Sequence, residues 1–217
     1  MRTRNDISAK LVGAGIIAII RAQKREQALP AAEALLAGGV SVIEITLTTP
    51  GAFEAIREAS QALGERALIG VGTVLTPFDC QKALDAGAQF VVTPICRTEL
   101  VALANAAEKP IMLGAYTPTE AQIAHESGAD FIKIFPADGL GPNYIKALRA
   151  PLPHLRIVPT GGVTLENIGQ WFAAGCSAVG VGGSLIPKEI LAKNDWPELT
   201  RLAKQYVAAV PTARTKC

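Results

Sequence analysis

Short apolar segments recur along the whole chain, and segments with helical periodicity separate them. They occupy residues 16–22, 42–47, 68–74, 90–95, 110–116, 131–137, 156–162 and 178–184. Each is apolar throughout rather than alternating, which is typical of parallel strands buried on both faces. The intervening segments include 77–87, which begins at Pro77 and ends at Gly87, and 164–175, which opens with Thr164. Eight strands, each followed by a helix, predict a closed (β/α)8 barrel rather than an open sheet.

A weak internal repeat supports this interpretation and predicts side-chain directions. Four helices end in a small residue plus Gly and run into a strand, at 37–45, 86–94, 127–135 and 174–182. Five residues after each Gly stand Glu44, Val92, Lys133 and Gly180. Alternate strands of such a barrel build one interior layer. We therefore expect Glu44 and Lys133 to face each other inside the barrel, with Gly180 supplying part of the room between them.

Size, charge and hydropathy exclude several classes of protein. The 217 residues suit one domain, and we expect a single barrel over residues 1–217 with 1–15 as an N-terminal lead-in. A net charge of +2 without a basic stripe argues against nucleic-acid binding. The apolar run 11–20 is too short to span a bilayer, and no small-residue cleavage site follows Arg21. It is therefore interpreted as a buried first strand, and we expect no membrane association.

Cysteine and histidine usage predicts a metal-free protein of a reducing compartment. The four cysteines have no metal-type spacing, and a chain of this length needs no disulfides, so we expect reduced thiols in the cytoplasm. The two histidines, His125 and His154, lie far apart in the sequence, which argues against a zinc site.

Two ionisable residues lie within apolar strands. Lys133 stands in FIKIFPA and Glu44 in VIEITL. An apolar environment disfavours an ammonium ion, and a neutral amine can attack a ketone to form an imine. A buried carboxylate opposite it could shuttle protons. Alternatively, Lys133 reaches out from a strand end, or the two residues form a purely structural salt bridge.

Two glycine-rich segments end the seventh and eighth strands and predict an anion site. PTGG contains Thr160, Gly161 and Gly162, and GVGGS contains Gly183 and Ser184. In eight-stranded barrels the loops at these positions often cradle phosphate with backbone N–H groups. Each segment alone is also compatible with a tight turn.

Two further strand ends carry candidate ligands for a small anion. Thr73, at the end of the third strand, could hold a carboxylate or a keto oxygen, and Arg21 could clamp a carboxylate or phosphate. The alternatives are an ordinary strand threonine and a surface ion pair.

These residues together resemble the class I aldolases for 2-keto-3-deoxy-6-phosphogluconate and 4-hydroxy-2-oxoglutarate. The resembling motifs are GGVSVIEITL, IGVGTV, AQFVVTP, FIKIFPA, VPTGG and VGGS, in that order, and they span residue 16 to about residue 210. The resemblance implies a (β/α)8 barrel, a homotrimer, a small keto-acid phosphate as substrate, and no metal or other cofactor.

Site residues follow from the same resemblance. It implies that Lys133 forms the Schiff base and that Glu44 is the general acid/base. Thr73, Pro94 and Arg21 correspond to the pocket for the pyruvate moiety. The glycine-rich strand ends correspond to the phosphate site.

One position departs from the family pattern. Many members carry arginine four residues after the glutamate, where this chain has Thr48, which leaves open how the substrate carboxylate is held. The segment 141–153 is also similar to the sister aldolases for the galactonate-derived epimer, so the preference at C4 is open as well.

Two alternatives to the aldolase remain at the level of sequence. One is a phosphate-binding barrel that acts as a sugar-phosphate isomerase or epimerase without an imine. The other is a non-catalytic or engineered barrel that serves as a scaffold or assembly subunit, although a scaffold has no use for a buried lysine and glutamate.

Overall fold

A computed structural model describes residues 2–214 and the side chains of residues 2–210. Eight parallel strands form one sheet in the order β7-β6-β5-β4-β3-β2-β1-β8, and a parallel bridge between Thr160 and Gly180 closes the ring between β7 and β8. This is the predicted (β/α)8 barrel. The strands are β1 Ile16–Ile20, β2 Val42–Thr46, β3 Leu68–Gly72, β4 Val91–Val92, β5 Ile111–Ala115, β6 Phe131–Ile134, β7 Ile157–Pro159 and β8 Val179–Val181.

Helices alternate with the strands around the outside of the ring. They are α1 Arg4–Ala14, α2 Ala28–Ala37, α3 Ala52–Leu63, α4 Pro77–Asp85, α5 Val101–Ala106, α6 Pro118–Glu126, α7 Gly141–Arg149, α8 Ile168–Ala173, α9 Lys188–Lys193 and α10 Trp196–Arg214, with 3₁₀ turns at Arg25–Gln27 and Thr98–Leu100. None of the helices in the described part of the chain is long and apolar enough to cross a membrane.

The prediction that a helix opens at Thr164 is wrong. Helix α8 begins at Ile168, and Asn167 precedes it at the N-cap. The Asn167 side chain accepts hydrogen bonds from the Thr164 backbone N–H at 2.8 Å and from the Trp171 indole at 3.1 Å. The Thr164 carbonyl accepts the Ile168 N–H at 3.0 Å, so residues 164–167 form a hydrogen-bonded turn that leads into the helix.

Buried apolar side chains form two clusters on opposite faces of the strands. The larger cluster lies between the strands and the helices, and includes Ile43, Ile45, Ile132 and Ile134. The smaller fills the barrel interior with Ile17, Val42, Leu68, Phe90, Val92, Met112, Phe131, Val158 and Ala178. This division follows from the alternation of side chains along a strand.

Helix α1 closes the N-terminal end of the barrel. Its Ile7 and Leu11 are buried and belong to the interior cluster. They pack there with residues near the N-terminal ends of the strands. A 2.8 Å ion pair between Arg4 and Asp130 fastens the helix, and Asp130 also accepts the backbone N–H of Ile111. The interior is therefore apolar and sealed at this end, and its polar residues lie toward the other.

The two histidines, distant in sequence, are in contact. The ring centroids of His125, on α6, and His154, after α7, lie 4.6 Å apart, and His154 Nε2 is 3.0 Å from Gln122 Oε1. Separation along the chain was thus a poor argument against a shared site. Residues 2–214 nevertheless contain no group of three His, Cys, Asp or Glu side chains placed to hold a metal ion.

Candidate active site

Lys133 and Glu44 point into the barrel from opposite sides. On β6, Lys133 follows the interior residue Phe131 by two positions, and on β2, Glu44 follows the interior residue Val42 by two positions. Alternation along each strand therefore directs both side chains inward, one layer beyond the apolar interior. Strands β2 and β6 lie on opposite sides of the eight-stranded ring. The repeat in the sequence predicts this arrangement.

The two residues are buried and do not pair. Lys133 is 4% exposed and Glu44 is 2% exposed. Neither takes part in an ion pair within 4.0 Å, and Glu44 Oε1 is buried without a hydrogen-bond partner. An unsatisfied buried polar atom costs roughly 1–3 kcal/mol. The two residues therefore do not form a structural salt bridge with each other.

Gly72 makes room for the Glu44 carboxylate. A Cβ atom on this residue, the last of β3, would collide with Glu44 Oε1. The sequence motif IGVGTV contains Gly72, but the pattern alone gives no reason for a glycine there. The structure supplies that reason, since any larger side chain would displace the carboxylate.

A cavity of about 410 Å³ opens at the C-terminal ends of β1, β6, β7 and β8. It adjoins the lysine, because Phe135 lines the cavity and its ring centroid lies 5.0 Å from Lys133 Nζ. All five residues of the predicted phosphate site line it, together with Arg21. The lining residues are Ile19, Arg21, Phe135, Thr160, Gly161, Gly162, Val163, Thr164, Gly180, Gly182, Gly183, Ser184, Ile186, Lys188 and Leu191.

The lining suits an anion. It includes two cations, Arg21 and Lys188, and none of its described residues is Asp or Glu. Gly161 and Gly162 have left-handed backbones, with φ of 99° and 70°, that other residues adopt only under strain. Gly162 also lies so close to Asp138 that a Cβ atom would contact it at 2.7 Å. Backbone N–H groups and two positive charges are the groups that bind phosphate.

Two details of this cavity differ from the sequence interpretation. The Ser184 hydroxyl donates to the Val163 carbonyl at 2.5 Å, so its proton is not directed at a ligand. The Thr160 side chain occupies part of the space beside Gly180, where a Cβ atom would collide with Thr160 Oγ1. Gly180 still lines the cavity, so the room that it supplies is shared with Thr160.

Lys188 is a lining residue that the sequence analysis missed. It is the first residue of α9, four positions beyond Ser184. The glycine-rich motif ends at Ser184, and an isolated lysine after a Pro carries no signal of its own. Lys188 lines the cavity because the connection between β8 and α9 places the start of α9 beside it.

Threonines tie together the ends of β1 and β2. Thr46 Oγ1 donates to the Ile20 carbonyl at 3.2 Å and lies 2.8 Å from Thr48 Oγ1. The Ala22 backbone N–H donates to Thr49 Oγ1 at 3.1 Å. These bonds hold the chain on both sides of Arg21. Thr48 itself is exposed and does not line the cavity described above.

The ends of β3 and β4 carry Thr73 and Pro94, both partly buried and both outside that cavity. Thr73 has a left-handed backbone with φ of 63°, a strained conformation for a β-branched residue. Beside Pro94, the buried Thr93 hydroxyl donates to the Ile95 carbonyl at 2.5 Å and accepts the Gly114 N–H at 3.0 Å. Strain at Thr73 and a side-chain clamp beside Pro94 are typical of backbone held in position for a ligand.

Two of the described cysteines, Cys80 and Cys96, are poor nucleophiles compared with an uncharged lysine amine. Burial raises the pKa of the Cys80 thiol to about 11. Burial and the nearby Glu120 carboxylate raise the pKa of Cys96 above its usual range. Since the thiolate is the reactive form of cysteine, both side chains are unreactive near neutral pH.

Comparison with known proteins places the chain in a family. Residues 7–202 match the family model described as "Aldolase: KDPG and KHG aldolase", where KDPG is 2-keto-3-deoxy-6-phosphogluconate and KHG is 4-hydroxy-2-oxoglutarate. The chain belongs to this aldolase family. Its relatives are carbon–carbon lyases, and so is this aldolase.

Three relatives cover nearly the whole aldolase. The 2-dehydro-3-deoxy-6-phosphogalactonate aldolase of Escherichia coli K12 is 40% identical over 90% of this chain and 96% of its own length. The 2-dehydro-3-deoxy-phosphogluconate aldolase of Pseudomonas aeruginosa is 38% identical over 88% and 87%. A crystal structure of the Legionella pneumophila KDPG aldolase contains pyruvate captured at low pH as a covalent carbinolamine intermediate. That chain is 32% identical in sequence, and the match covers 91% of this chain and 96% of that one. The two structures superpose with a TM-score of 0.84.

The strain at Thr73 leads to a prediction for this aldolase. Thr73→Gly should raise the free energy of unfolding by about 0.5–1 kcal/mol, because relief of the left-handed strain outweighs the added freedom of the unfolded chain. The same variant should lose roughly tenfold or more in kcat/KM if the hydroxyl holds the substrate. Urea denaturation and pyruvate release measure the two effects.

Glu108 provides the matched control, because its φ is 56° and it lies after α5. Glu108→Gly should gain similar stability with unchanged activity. Full activity in Thr73→Gly would remove the side chain of Thr73 from the site.

Proposed function

We propose that this protein is a class I aldolase that cleaves 2-keto-3-deoxy-6-phosphogluconate, or a close 2-keto-3-deoxy acid, to pyruvate and glyceraldehyde 3-phosphate. Lys133 forms the Schiff base and Glu44 is the general acid/base. The observation that carries the proposal is the buried, unpaired Lys133 facing an unpaired Glu44 across the barrel, beside a cavity suited to phosphate. No metal or other cofactor is needed for this chemistry.

The reaction begins at the ketone. The uncharged Lys133 amine attacks C2 of the substrate and gives a carbinolamine, and loss of water leaves an iminium ion. Glu44, acting through a water molecule, assists the proton transfers of this dehydration.

Cleavage follows from the iminium ion. Glu44 takes the proton of the C4 hydroxyl, the C3–C4 bond breaks, and its electron pair moves to C3 and the nitrogen as an enamine. The C4 carbon leaves as the aldehyde of glyceraldehyde 3-phosphate. Protonation of the enamine at C3 and addition of water to the resulting iminium ion release pyruvate and restore the amine.

The remaining predicted site residues bind the two ends of the substrate. Thr73 and Pro94 hold the carboxylate and keto group, with Arg21 and Thr48 at neighbouring strand ends. Thr160, Gly161, Gly162, Gly183 and Ser184 hold the phosphate. The support is that the phosphate residues share one cavity and that strain and hydrogen bonding fix the backbone at Thr73 and Pro94.

The relatives supply a second candidate substrate. A relative with 40% identity is named for the phosphogalactonate and one with 38% for the phosphogluconate, so the two C4 epimers are both candidates. Other relatives, 36% identical, are named KHG/KDPG aldolases, which adds 4-hydroxy-2-oxoglutarate. A panel of the two epimers and 4-hydroxy-2-oxoglutarate, compared by kcat/KM for pyruvate release, identifies the preferred substrate.

Borohydride trapping tests the mechanism. Incubation with pyruvate and sodium borohydride should inactivate the enzyme and attach a reduced pyruvyl group to the peptide that contains Lys133. Incubation with borohydride alone is the control. Pyruvate release without trapping, or a label on another lysine, contradicts the proposed mechanism. Absence of pyruvate release from every substrate would instead favour a scaffold or an isomerase.

The homotrimer implied by the family resemblance is also a proposal. Large apolar side chains are exposed on the segments that follow β3, β4 and β5, a face formed by Leu75, Phe78, Ile95, Tyr116 and Ile123. Phe78 is 73% exposed, and exposed apolar side chains grouped in this way mark association sites. Burial of this face between copies of the chain would remove the exposed area from water.

Sedimentation equilibrium measures the association directly. The wild-type protein should have the mass of a trimer, and Phe78→Asp should shift the mass toward the monomer, because a carboxylate would be desolvated in the interface. Lys82→Gln, on the same helix, lowers the net charge by the same single unit and is the control. A wild-type mass of one chain would contradict the proposal.

A further inference from the structure

Lys188 and Arg21 are the two cations of the cavity, and neither is neutralised by the protein. No carboxylate among the described residues lies within 4.0 Å of either. Two unpaired positive charges therefore line one concave site.

Lys188 stands apart from the residues that bind phosphate through the backbone. Gly161, Gly162 and Gly183 offer N–H groups, which carry no net charge. A phosphate ester carries roughly −1.5 to −2 charges near neutral pH. Arg21 also lines the cavity but is assigned to the carboxylate end of the substrate, which leaves Lys188 as the lining cation available to the phosphate.

The nearest acidic side chain increases the need for a cation at the phosphate. Asp138 packs behind Gly161 and Gly162, and a Cβ atom on Gly161 would lie 3.7 Å from its Oδ1. That oxygen accepts the backbone N–H of Gly139 at 3.1 Å, which satisfies part of its hydrogen bonding but leaves its charge. The Asp138 charge opposes phosphate binding at the glycine loop, and Lys188 offsets it from the β8–α9 side.

We propose that Lys188 determines specificity for substrates with an anionic terminal group, by contacting the phosphate from the wall opposite the glycine loop. The proposal rests on the proposed aldolase function. Because an ammonium ion on a flexible stem acts as a point charge, it favours a phosphate most, a terminal carboxylate less, and a neutral hydroxyl not at all. The enzyme therefore ranks 2-keto-3-deoxy acids by terminal charge.

Steady-state kinetics of Lys188→Met test this role. The variant should raise KM for 2-keto-3-deoxy-6-phosphogluconate by about tenfold, the low end for a hydrogen bond between charged groups, and leave kcat within about twofold. For non-phosphorylated 2-keto-3-deoxygluconate, kcat/KM should stay within about twofold of the wild type. Lys188→Arg should retain most of the affinity, since it keeps the charge.

Lys193→Met is the matched control. Lys193 is exposed in the last turn of the same helix and does not line the cavity, so this variant should behave as the wild type with both substrates. Added salt should raise KM for the phosphorylated substrate in the wild type, and less so in Lys188→Met, because salt screens exposed charges.

The outcomes separate this proposal from the proposed function. Borohydride trapping with pyruvate, which lacks phosphate, should proceed equally fast in the wild type and in Lys188→Met. An unchanged KM in Lys188→Met, or an equal loss with both substrates, overturns the role of Lys188 while the aldolase mechanism stands. Absence of trapping in the wild type overturns the mechanism itself.

Discussion

Replacing Lys133 with methionine should lower aldol cleavage by at least roughly 10⁴-fold, because the covalent route through the imine is lost. Methionine is similar in length and apolar, so it fits the 4% exposed site on β6 without repacking the barrel. The free energy of unfolding should stay the same or rise, since an unpaired buried amine is replaced by an apolar group. Pyruvate release and urea denaturation measure the two quantities.

The same variant distinguishes chemistry from folding. Lys133→Met should also lose the pyruvate label in borohydride trapping. Lys146→Met, which changes an exposed lysine on α7, should keep the wild-type rate and label. If Lys133→Met cleaves substrate at the wild-type rate, the lysine has no covalent role and an acid/base mechanism must replace the imine.

Glu44→Gln should reduce kcat by about 10²–10⁴-fold, the usual contribution of a general acid or base. Glutamine preserves the shape of the side chain beside Gly72 but cannot transfer a proton. Trapping of pyruvate at Lys133 should become slower, because dehydration of the carbinolamine loses its catalyst, yet still occur. Single-turnover kinetics with borohydride quenching measure the rate of imine formation.

The free energy of unfolding of Glu44→Gln distinguishes a catalytic role of Glu44 from a structural one. A structural salt bridge between Glu44 and Lys133 would make Glu44→Gln strongly destabilising, by roughly 3–5 kcal/mol, because it would leave the lysine charge unpaired. The structure contains no such pair, so we expect little loss of stability. Glu54→Gln, exposed on α3, controls for a surface carboxylate. A near wild-type rate in Glu44→Gln would remove the glutamate from the mechanism.

The barrel and the direction of its reactive side chains could be predicted because they depend on local patterns. Apolar segments mark parallel strands, and the helix-ending glycines fix the register by which Glu44 and Lys133 face inward. Since side chains alternate with a period of two, one fixed position in each strand determines the others. The shared cavity of the residues proposed to bind phosphate was predictable for the same reason, as they lie at the ends of two consecutive strands.

Features that depend on contacts between distant segments could not be predicted. Lys188 enters the cavity through the fold of the β8–α9 connection, and Thr160 occupies part of the space beside Gly180 because β7 and β8 close the ring. The contact of His125 with His154 joins α6 to the loop after α7. None of these contacts produces a periodic pattern in the sequence, because the two residues in each contact come from segments far apart along the chain.

Helix α1 also leaves the barrel interior with a single entrance. Ile7 and Leu11 close the N-terminal end of the barrel interior. Ligands therefore enter and leave through the C-terminal end alone. The phosphate loops lie at that mouth, whereas Lys133 lies one layer above the apolar floor. Under the proposed aldolase mechanism, the phosphorylated fragment leaves through this mouth first, because the pyruvyl fragment is still attached to Lys133.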